Sequence, residues 1–248
     1  MTRFKRGATT ALSTCVLVVS AVGVARADIA IGAGAEYFRW KESTSPAVEE
    51  TGMRWVLDLT WIQSRQPGSS FEYNVKLYAG KVDYEGALLF SNTPLNSDTH
   101  YRGVQNELRF VYRMAGGADV HGAFGWDHWR RELSSQQRED FDALYLRAGA
   151  GFGSMIQQGL FGSIGVKLPF YVRENAHFDQ LFAIPNANLR PRTHVSFYAN
   201  VGYRFNPNWD VTAYYDSYRF RQSNTTSFGF FQPESKQDQY GLKAQRNF

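Results

Sequence analysis

The amino-acid sequence predicts an all-β chain whose antiparallel strands run up and down and close into a transmembrane β-barrel. Apolar and polar residues alternate over most of the chain after residue 28, and this period places successive side chains on opposite faces of a strand. Short and long connections alternate between these segments. The last segment, residues 235–248, also alternates and ends on the aromatic Phe248.

The first 27 residues have the pattern of a cleaved secretory signal peptide. Arg3, Lys5 and Arg6 form a basic start, residues 11–24 are apolar, and residues 25–27 follow the small-x-small rule for cleavage. We therefore expect an exported chain whose mature part, residues 28–248, is a single barrel domain.

Charge and cysteine usage exclude several classes of function. Four of the 27 basic residues lie in the leader, so the mature part carries as many basic as acidic residues and gives no reason to expect a nucleic-acid partner. The single cysteine, Cys15, also lies in the leader, which leaves no thiol for disulfides or thiolate metal sites. The sequence contains no phosphate-binding loop, zinc-protease motif or EF-hand loop. We expect no metal and no cofactor.

Ten strands follow from the alternating segments. Proline removes a donor from the ladder of hydrogen bonds, so Pro169 in the seventh strand predicts a bulge or the outer rim of the barrel. Short apolar runs at residues 86–90 and 180–184 leave twelve strands as the alternative. The predicted strands are residues 29–40, 53–61, 71–79, 108–114, 120–126, 144–152, 160–170, 195–205, 209–215 and 235–248.

The lengths of the connections favour a membrane barrel over a soluble β-sandwich, whose strands would alternate in the same way. A sheet crosses a bilayer only when it closes on itself, because the hydrocarbon holds no water for free backbone groups. Short periplasmic turns and longer extracellular loops are typical of bacterial barrels. The short connections are residues 66–69, 115–118, 157–159 and 206–208, and the long ones are residues 42–50, 85–99, 131–139, 174–192 and 222–236.

Over essentially its whole mature length, the chain resembles the bacterial outer-membrane β-barrel superfamily. The resemblance rests on the leader, the alternating strands, the aromatic belts and the terminal Phe248. It implies a location in the outer membrane of a Gram-negative bacterium, with membrane lipid and lipopolysaccharide as partners. It also implies a monomer that folds with the β-barrel assembly machinery. Tyr240, Leu242 and Phe248 match the carboxy-terminal signal for that machinery, whereas Arg246 departs from it.

The polar face of the strands fills the lumen with charges of both signs. An eight-stranded barrel holds little besides side chains and wide channels need about 16 strands, so ten strands predict a narrow lumen whose charges must pair. We expect an ion-pair network that largely plugs the barrel, with a slender, anion-leaning pore as the alternative. The network consists of Glu36, Arg54, Asp58, Glu72, Lys76, Glu107, Arg109, Arg113, Asp127, Arg147, Lys167, Arg204 and Asp216, and Arg131, Arg173, Asp210 and Lys243 are also predicted to point inward.

Inward-facing glycines leave one side of the wall almost without side chains. We expect arginine and tyrosine side chains, such as Tyr198, to lie over it. A groove for an elongated ligand is the alternative. The glycines are Gly125, Gly149, Gly151, Gly153 and Gly165.

Two non-enzymatic functions fit this architecture. The favoured one is a structural or narrow porin-like permeation role for a barrel with a largely plugged lumen. The alternative is an adhesin or receptor that binds through the loops at residues 174–192 and 222–236, whose Asn, Gln and Ser side chains suit surface contacts.

A hydrolase at the rim of the barrel is the third hypothesis. It would use His128 beside Asp127, or His177 with Asp179. The paired-aspartate and Asp-x-His motifs of omptin proteases are not found at corresponding strand ends, so the sequence favours a protein that is not an enzyme. In the segment 126–131, we expect the tryptophans at the membrane interface, and Arg130 and Arg131 against lipopolysaccharide phosphates.

Overall fold

The computed structural model describes residues 27–66, 68–87, 93–134, 137–153, 158–177 and 186–248. The predicted leader lies outside the described residues except for Ala27, as do Asp179 and the apolar run at 180–184. Within the described part, no helix is long and apolar enough to cross a bilayer.

Strands make up nearly all of the regular structure, as the period of two predicts. Most are longer than their apolar segments, because polar alternation continues beyond the apolar residues. The strands are β1 (Ala27–Glu42), β2 (Val48–Gln66), β3 (Ser69–Ala87), β4 (Pro94–Arg113), β5 (Ala118–Glu132), β6 (Arg138–Phe152), β7 (Gly159–His177), β8 (Ala187–Leu189), β9 (Arg192–His194), β10 (Ser196–Asn206), β11 (Trp209–Arg221) and β12 (Ser235–Asn247).

Ten of these strands close into an antiparallel barrel, which confirms the predicted fold and strand number. Strands β1 to β7 pair in chain order, β7 pairs with β10, and β12 returns to β1 in a ladder from Ala30↔Asn247 to Glu42↔Ser235. The two extra strands are short: β8 pairs with β7, and β9 pairs with β11. Closure pairs the first strand with the last, so the barrel has no free edge.

The two ends of the barrel differ in their connections. At one end, here called the turn end, β2 passes into β3 and β10 into β11 within two residues. At the other end, the loop end, lie the two longest connections, residues 222–234 and the chain between β7 and β10, which carries β8 and β9. The pairing of β3 with β4 extends to Ala87↔Pro94, so the start of the apolar run at 86–90 lengthens a hairpin and adds no strand.

A bulge interrupts β7 at the predicted proline. The register runs from Leu144↔Tyr171 to Tyr145↔Pro169, which leaves Phe170 as the extra residue, and Phe170 and Tyr171 both point outward. Because one inserted residue shifts the alternation, the faces exchange beyond this point. Glu174 therefore points inward and is buried.

The bulge also makes the prediction for Arg173 wrong. Its side chain is exposed on the outer face, where its guanidinium donates to Asn188 Oδ1 at 2.9 Å. Uninterrupted alternation from Lys167 would have placed Arg173 in the lumen.

The outer face has two zones. The apolar belt consists of exposed aliphatic and aromatic side chains and extends from the turn end over most of the wall. The polar cuff lies beyond it toward the loop end, where outward side chains are charged and paired across strands, for example Arg39 with Glu49 at 2.8 Å and Lys81 with Asp98 at 2.6 Å. The belt includes Ile31, Met53, Trp55, Leu57, Leu59, Leu77, Leu108, Phe110, Phe124, Leu146, Ile164, Val166, Leu168, Val201 and Leu242.

Candidate functional site in the barrel interior

The interior side chains follow the same order along several strands from the turn end to the loop end. On β1 the inward residues are Glu36, Phe38, Trp40 and Glu42, so that a charge precedes two rings and a second charge follows them. We call the resulting levels the ion-pair layer, the aromatic plug and the carboxylate cluster. A cavity lies on the turn side of the ion-pair layer.

Glu36 is the centre of one half of the ion-pair layer. Its carboxylate accepts from Arg54 Nε at 2.9 Å, from Lys76 Nζ at 2.7 Å and from Tyr214 Oη at 2.7 Å. These partners come from β2, β3 and β11, and Glu36 itself is fully buried. The guanidinium of Arg54 also stacks on Phe38, 4.0 Å from its ring centroid, which joins this layer to the plug.

Asp216 is the centre of the other half. It binds Lys167 Nζ at 2.7 Å and Arg147 Nη2 at 2.6 Å. Arg147 continues the chain to Glu107 at 3.1 Å, and Glu107 accepts from Arg109 at 2.9 Å. Five residues on four strands thus form alternating charges across the lumen.

Asp127 lies between the two halves and is held by hydroxyl groups. Tyr78 Oη donates to it at 2.8 Å and Tyr218 Oη at 3.0 Å, and Gln105 Nε2 lies at 3.3 Å. Asp127, which belongs to the predicted network, is therefore held in the layer by hydrogen bonds from neutral donors.

Of the remaining predicted residues, Asp58, Glu72 and Arg204 line a cavity of about 160 Å³ on the turn side of the ion-pair layer, and Arg113 lines a smaller one next to Glu72. Their ion pairs are looser or more local. Arg204 binds the neighbouring Asp210 at 2.8 Å. Asp58 lies 3.4 Å from Lys243, and Glu72 lies 3.8 Å from Arg109 and 3.9 Å from Arg113.

The aromatic plug closes the lumen beyond the ion-pair layer. Trp129 and Phe141 stack with centroids 4.8 Å apart and rings 3° from parallel, and Tyr218 stacks on Phe220 at 5.4 Å. Each of its rings is at most 2% exposed. The plug consists of Phe38, Trp40, Tyr101, Trp129, Phe141, Tyr145, Tyr218 and Phe220.

Sequence reasoning missed the plug because it assigned aromatic residues to the lipid face. The prediction that Trp129 lies at the membrane interface is wrong, and so is the prediction that Arg131 meets lipopolysaccharide phosphates, since both are buried in the lumen. Arg131 takes the inward position that was also predicted for it. Strand parity carries the missing signal: Trp129 and Arg131 are two and four residues from Asp127, which was predicted to point inward. Trp126 and Arg130 do lie on the outer face.

The carboxylate cluster lies beyond the plug at the loop end. Arg131 on β5 binds Glu50 on β2 at 2.9 Å, Glu42 on β1 at 3.0 Å and Glu139 on β6 at 2.8 Å. Glu174 on β7 completes the cluster, and all five side chains are buried. Outward neighbours at this level, such as Asp140 and Arg130, belong to the polar cuff, so the cluster lies beyond the apolar belt.

Two of the inward glycines make room for a contact between distant strands. His121 on β5 and Tyr198 on β10 are separated by β6 and β7, where the register places Gly149 and Gly165 between them. Their side chains meet over these glycines, with His121 Nε2 2.7 Å from Tyr198 Oη, and Asp119 Oδ1 lies 3.0 Å from His121 Nδ1. A Cβ on either glycine would overlap Tyr198 Oη. The predicted groove is therefore filled at this point.

Of the two histidine pairs proposed for a hydrolase, His128 with Asp127 does not form, and Asp179, the predicted partner of His177, lies outside the described residues. Asp127 points into the lumen and His128 points outward, because neighbouring residues of a strand face opposite sides. His128 Nδ1 instead lies 3.0 Å from Asp142 Oδ1, and His177 Nε2 lies 2.9 Å from Asp140 Oδ2. Both pairs are part of the polar cuff. The hydrogen bond that His128 donates to Asp142 raises the pKa of His128.

The three residues of the predicted assembly signal share the outer face of the last strand. Tyr240, Leu242 and Phe248 are each more than half exposed there. Arg246 lies on the same face, with its guanidinium 4.8 Å from the Phe248 ring and 5.9 Å from the Trp209 ring. Stacking on two rings at the turn end accounts for a cation at this apolar position.

Comparison with solved structures finds similar chains among outer-membrane proteins. The outer membrane protease OmpT from Escherichia coli aligns with a TM-score of 0.51 and 10% identity over 89% of this chain and 94% of its own. The translocator domain of autotransporter NalP from Neisseria meningitidis has a TM-score of 0.47 and 7% identity, covering 89% of this chain and 88% of that one. Ail, the attachment invasion locus protein of Yersinia pestis, has a TM-score of 0.40 and 15% identity, covering 89% and 98%.

Neither a protein-family model nor a curated protein sequence matches the chain. At 10% identity, the likeness to OmpT shows a common barrel fold and leaves the function to be argued from the interior.

Proposed function

We propose that this chain, whose fold is that of the bacterial outer-membrane β-barrel proteins, is an integral outer-membrane scaffold whose lumen is closed to solutes. The apolar belt supports contact with lipid, because exposed rings and aliphatic chains surround a wall most of whose charges point inward or lie in the cuff. The loop end would then face outside the cell and the turn end the periplasm. This proposal excludes the slender, anion-leaning pore that the sequence left open as an alternative.

The aromatic plug carries the proposal. Trp40, Trp129 and Phe141 lie side by side in the lumen with no more than 1% of any side chain exposed. A conducting lumen needs a continuous wet path, whereas these rings are as fully buried as the core of a soluble protein. The cavity on the turn side therefore ends below the plug and gives no passage.

Conductance in planar lipid bilayers tests this proposal. The wild-type barrel should insert and show no stable open level. The double variant Trp40→Ala/Trp129→Ala removes two plug rings and should produce measurable conductance. Trp55→Ala is the matched control, since this ring is 75% exposed on the belt, and it should stay silent. A stable conductance of the wild type would overturn the proposal.

The partners proposed for this scaffold are membrane lipid and lipopolysaccharide, and the β-barrel assembly machinery during folding. Arg102 and Arg173 support contact with lipopolysaccharide phosphates, because both are exposed on the cuff just beyond the belt. Tyr240, Leu242 and Phe248 support recognition by the machinery, because they form an exposed row on the last strand.

The scaffold proposal includes no catalysis. His128 and His177 are each paired with an aspartate within ladders of opposite charge on the outer wall. Such pairing stabilises strand contacts at a wet rim without any reaction. Turnover of peptide or lipid substrates by the purified protein, lost in His128→Gln or His177→Gln, would contradict this part of the proposal.

A loop-mediated receptor is the second candidate, and one observation favours it. The connection at residues 222–234 is anchored to the barrel, because Phe230 packs on Ala176 and Leu189. The same connection leaves Phe228 and Phe231 exposed by 59% and 44% at the loop end. A fixed loop that presents two rings to solvent suits an apolar contact with a partner.

Replacement of the exposed rings distinguishes the receptor from the scaffold. The double variant Phe228→Ser/Phe231→Ser should abolish adhesion of cells that display the protein and leave the barrel intact. Phe110→Ser on the belt is a control for loss of a ring outside the loops, with the amount of folded protein matched on the cell surface. Adhesion that survives in the loop variant would exclude this candidate.

A further inference from the structure

The carboxylate cluster at the loop end contains more acid than base. Glu42, Glu50, Glu139 and Glu174 surround Arg131, and none of the five residues is more than 7% exposed. If all of them were ionised, four negative charges would face one positive charge. Burying an ion without a partner costs several kcal/mol, so this charge state is unfavourable.

Glu174 has the weakest support within the cluster. Its Oε2 atom is buried and has no hydrogen-bond partner among the described residues. The register places Glu174 between Phe141 on β6 and Leu189 on β8, and both neighbours are buried and apolar. Arg131 makes its contacts with the other three glutamates, at 2.8 to 3.0 Å. An acid without a cation among apolar side chains is stable only in its neutral form.

We propose that the loop end contains a buried proton-binding site, in which Glu174 together with Glu139 holds a proton at neutral pH and releases it in alkaline solution. In the neutral form, Glu174 adds no negative charge to the cluster, which leaves three carboxylates around Arg131. Release of the proton would add a fourth. The carboxylates on β1, β2, β6 and β7 would then repel one another at the loop end.

The expected pKa values agree with this geometry. Burial raises the pKa of Glu174 well above its usual range, and the neighbouring charge of Glu139 raises it further. Burial also raises the pKa of Glu139. The positive charge of Arg131 lowers this pKa, and the negative charges of Glu42 and Glu50 raise it.

The groups that face this pair from the surrounding strands offer no second cation within the described residues. Tyr101 donates to Glu50, and Trp40 Nε1 and Gln232 Nε2 approach Glu42 at 2.9 and 3.3 Å. Arg131 is thus the only buried cation there. The titratable and charged groups around Glu174 and Glu139 are Glu42 on β1, Glu50 on β2, Tyr84 on β3, Tyr101 on β4 and Arg131 on β5.

The direction of the pH effect follows from the raised pKa. A carboxyl group that is more easily protonated in the folded barrel binds protons that the unfolded chain releases. Stability is then greatest below the ordinary pKa of glutamate and falls as the pH rises through the folded value. For one such proton, the unfolding equilibrium constant increases about tenfold per pH unit within this window.

Infrared spectroscopy of the purified barrel in detergent tests the proposal directly. The wild type should show the C=O band of a protonated carboxyl group at neutral pH, and this band should vanish in Glu174→Gln. Glu132→Gln is the control, because this glutamate lies on the cuff and binds Arg102 at 2.9 Å, and it should keep the band. A spectrum of the wild type without the band would overturn the proposal.

Unfolding as a function of pH gives the second readout. In the wild type, the unfolding equilibrium constant should rise between neutral and alkaline pH. In Glu174→Gln, this rise should be smaller by about a factor of ten per pH unit, which corresponds to the loss of one bound proton. An unchanged slope would overturn the proposal. If Ca²⁺ stabilises the wild type but not Glu174→Gln at neutral pH, the site binds a metal cation in place of the proton. This result would also overturn the proposal. Should Glu174→Gln fail to fold, the band of the wild type, compared at neutral and alkaline pH, decides alone.

Discussion

Toward the loop end, the interior of the barrel is filled by rings that are almost fully buried, whereas toward the turn end it holds ion pairs around a cavity of about 160 Å³. Single strands contribute to both halves, for example β1 with Glu36 and Trp40. The rings of the loop half exclude water, and the ions of the turn half keep enough space for it. The loop half therefore closes the lumen, and the turn half has room for charged side chains and water.

Removal of Arg131, the cation of the carboxylate cluster, tests most strongly whether the loop half behaves as a packed core and the turn half does not. Arg131→Met leaves the glutamates of the cluster without their partner and should destabilise the barrel by about 3–5 kcal/mol, the usual cost of breaking a buried ion pair. Denaturant unfolding of the barrel in lipid vesicles measures this change in the free energy of unfolding.

The adjacent arginine supplies the control for this change. Arg130 points outward and binds Asp140 at 2.6 Å on the half-exposed cuff. Arg130→Met should therefore cost about 1 kcal/mol or less. Equal effects of the two substitutions would show that the loop half is not packed as a core.

The second prediction concerns the turn half, where glycine allows His121 and Tyr198 to meet. Gly149→Ala places a Cβ against Tyr198 Oη and 2.9 Å from His121 Nε2. The overlap should cost about 1–3 kcal/mol and separate the two rings. Nuclear magnetic resonance of the histidine ring would detect the lost contact, and unfolding would give the cost.

Gly122 provides a matched glycine on the outer face of β5. The nearest atom to a Cβ there is 3.7 Å away, which is ordinary contact distance. Gly122→Ala should leave stability unchanged or slightly improved, because alanine restricts the unfolded chain. A larger loss in this variant than in Gly149→Ala would contradict the close packing over the glycine wall.

The sequence was sufficient to predict the barrel, because alternation and connection length are local signals that survive in every strand. It also placed Glu36, Arg54 and Lys76 on the inward face, but it assigned no pairs among the charges, which depend on the register of β1, β2 and β3. The division of the lumen into rings and ions escaped prediction, because aromatic side chains suit both lipid and a dry interior. Trp129 could be placed only by its parity with Asp127.

Register errors explain the other failures. One extra residue at Phe170 moves Arg173 out of the lumen and Glu174 into it, and a count of alternate residues cannot detect this without knowing that the bulge exists. The pairing of His128 with Asp142 across β5 and β6 depends on the register of two strands. Sequence neighbours such as Asp127 and His128 are the least suitable partners in a strand, because they face opposite sides.

The smallest effect is expected on the cuff, where His128 binds Asp142 in partial contact with solvent. Because this bond raises the pKa of His128, its contribution is complete below the unfolded value of about 6.5 and is lost as the pH rises through the folded value. His128→Gln should remove about 1 kcal/mol or less, and only on the acidic side of this window. His100→Gln, at an exposed outward position of β4, is the control. A pH dependence that continues into alkaline solution in His128→Gln would therefore come from groups other than this cuff pair.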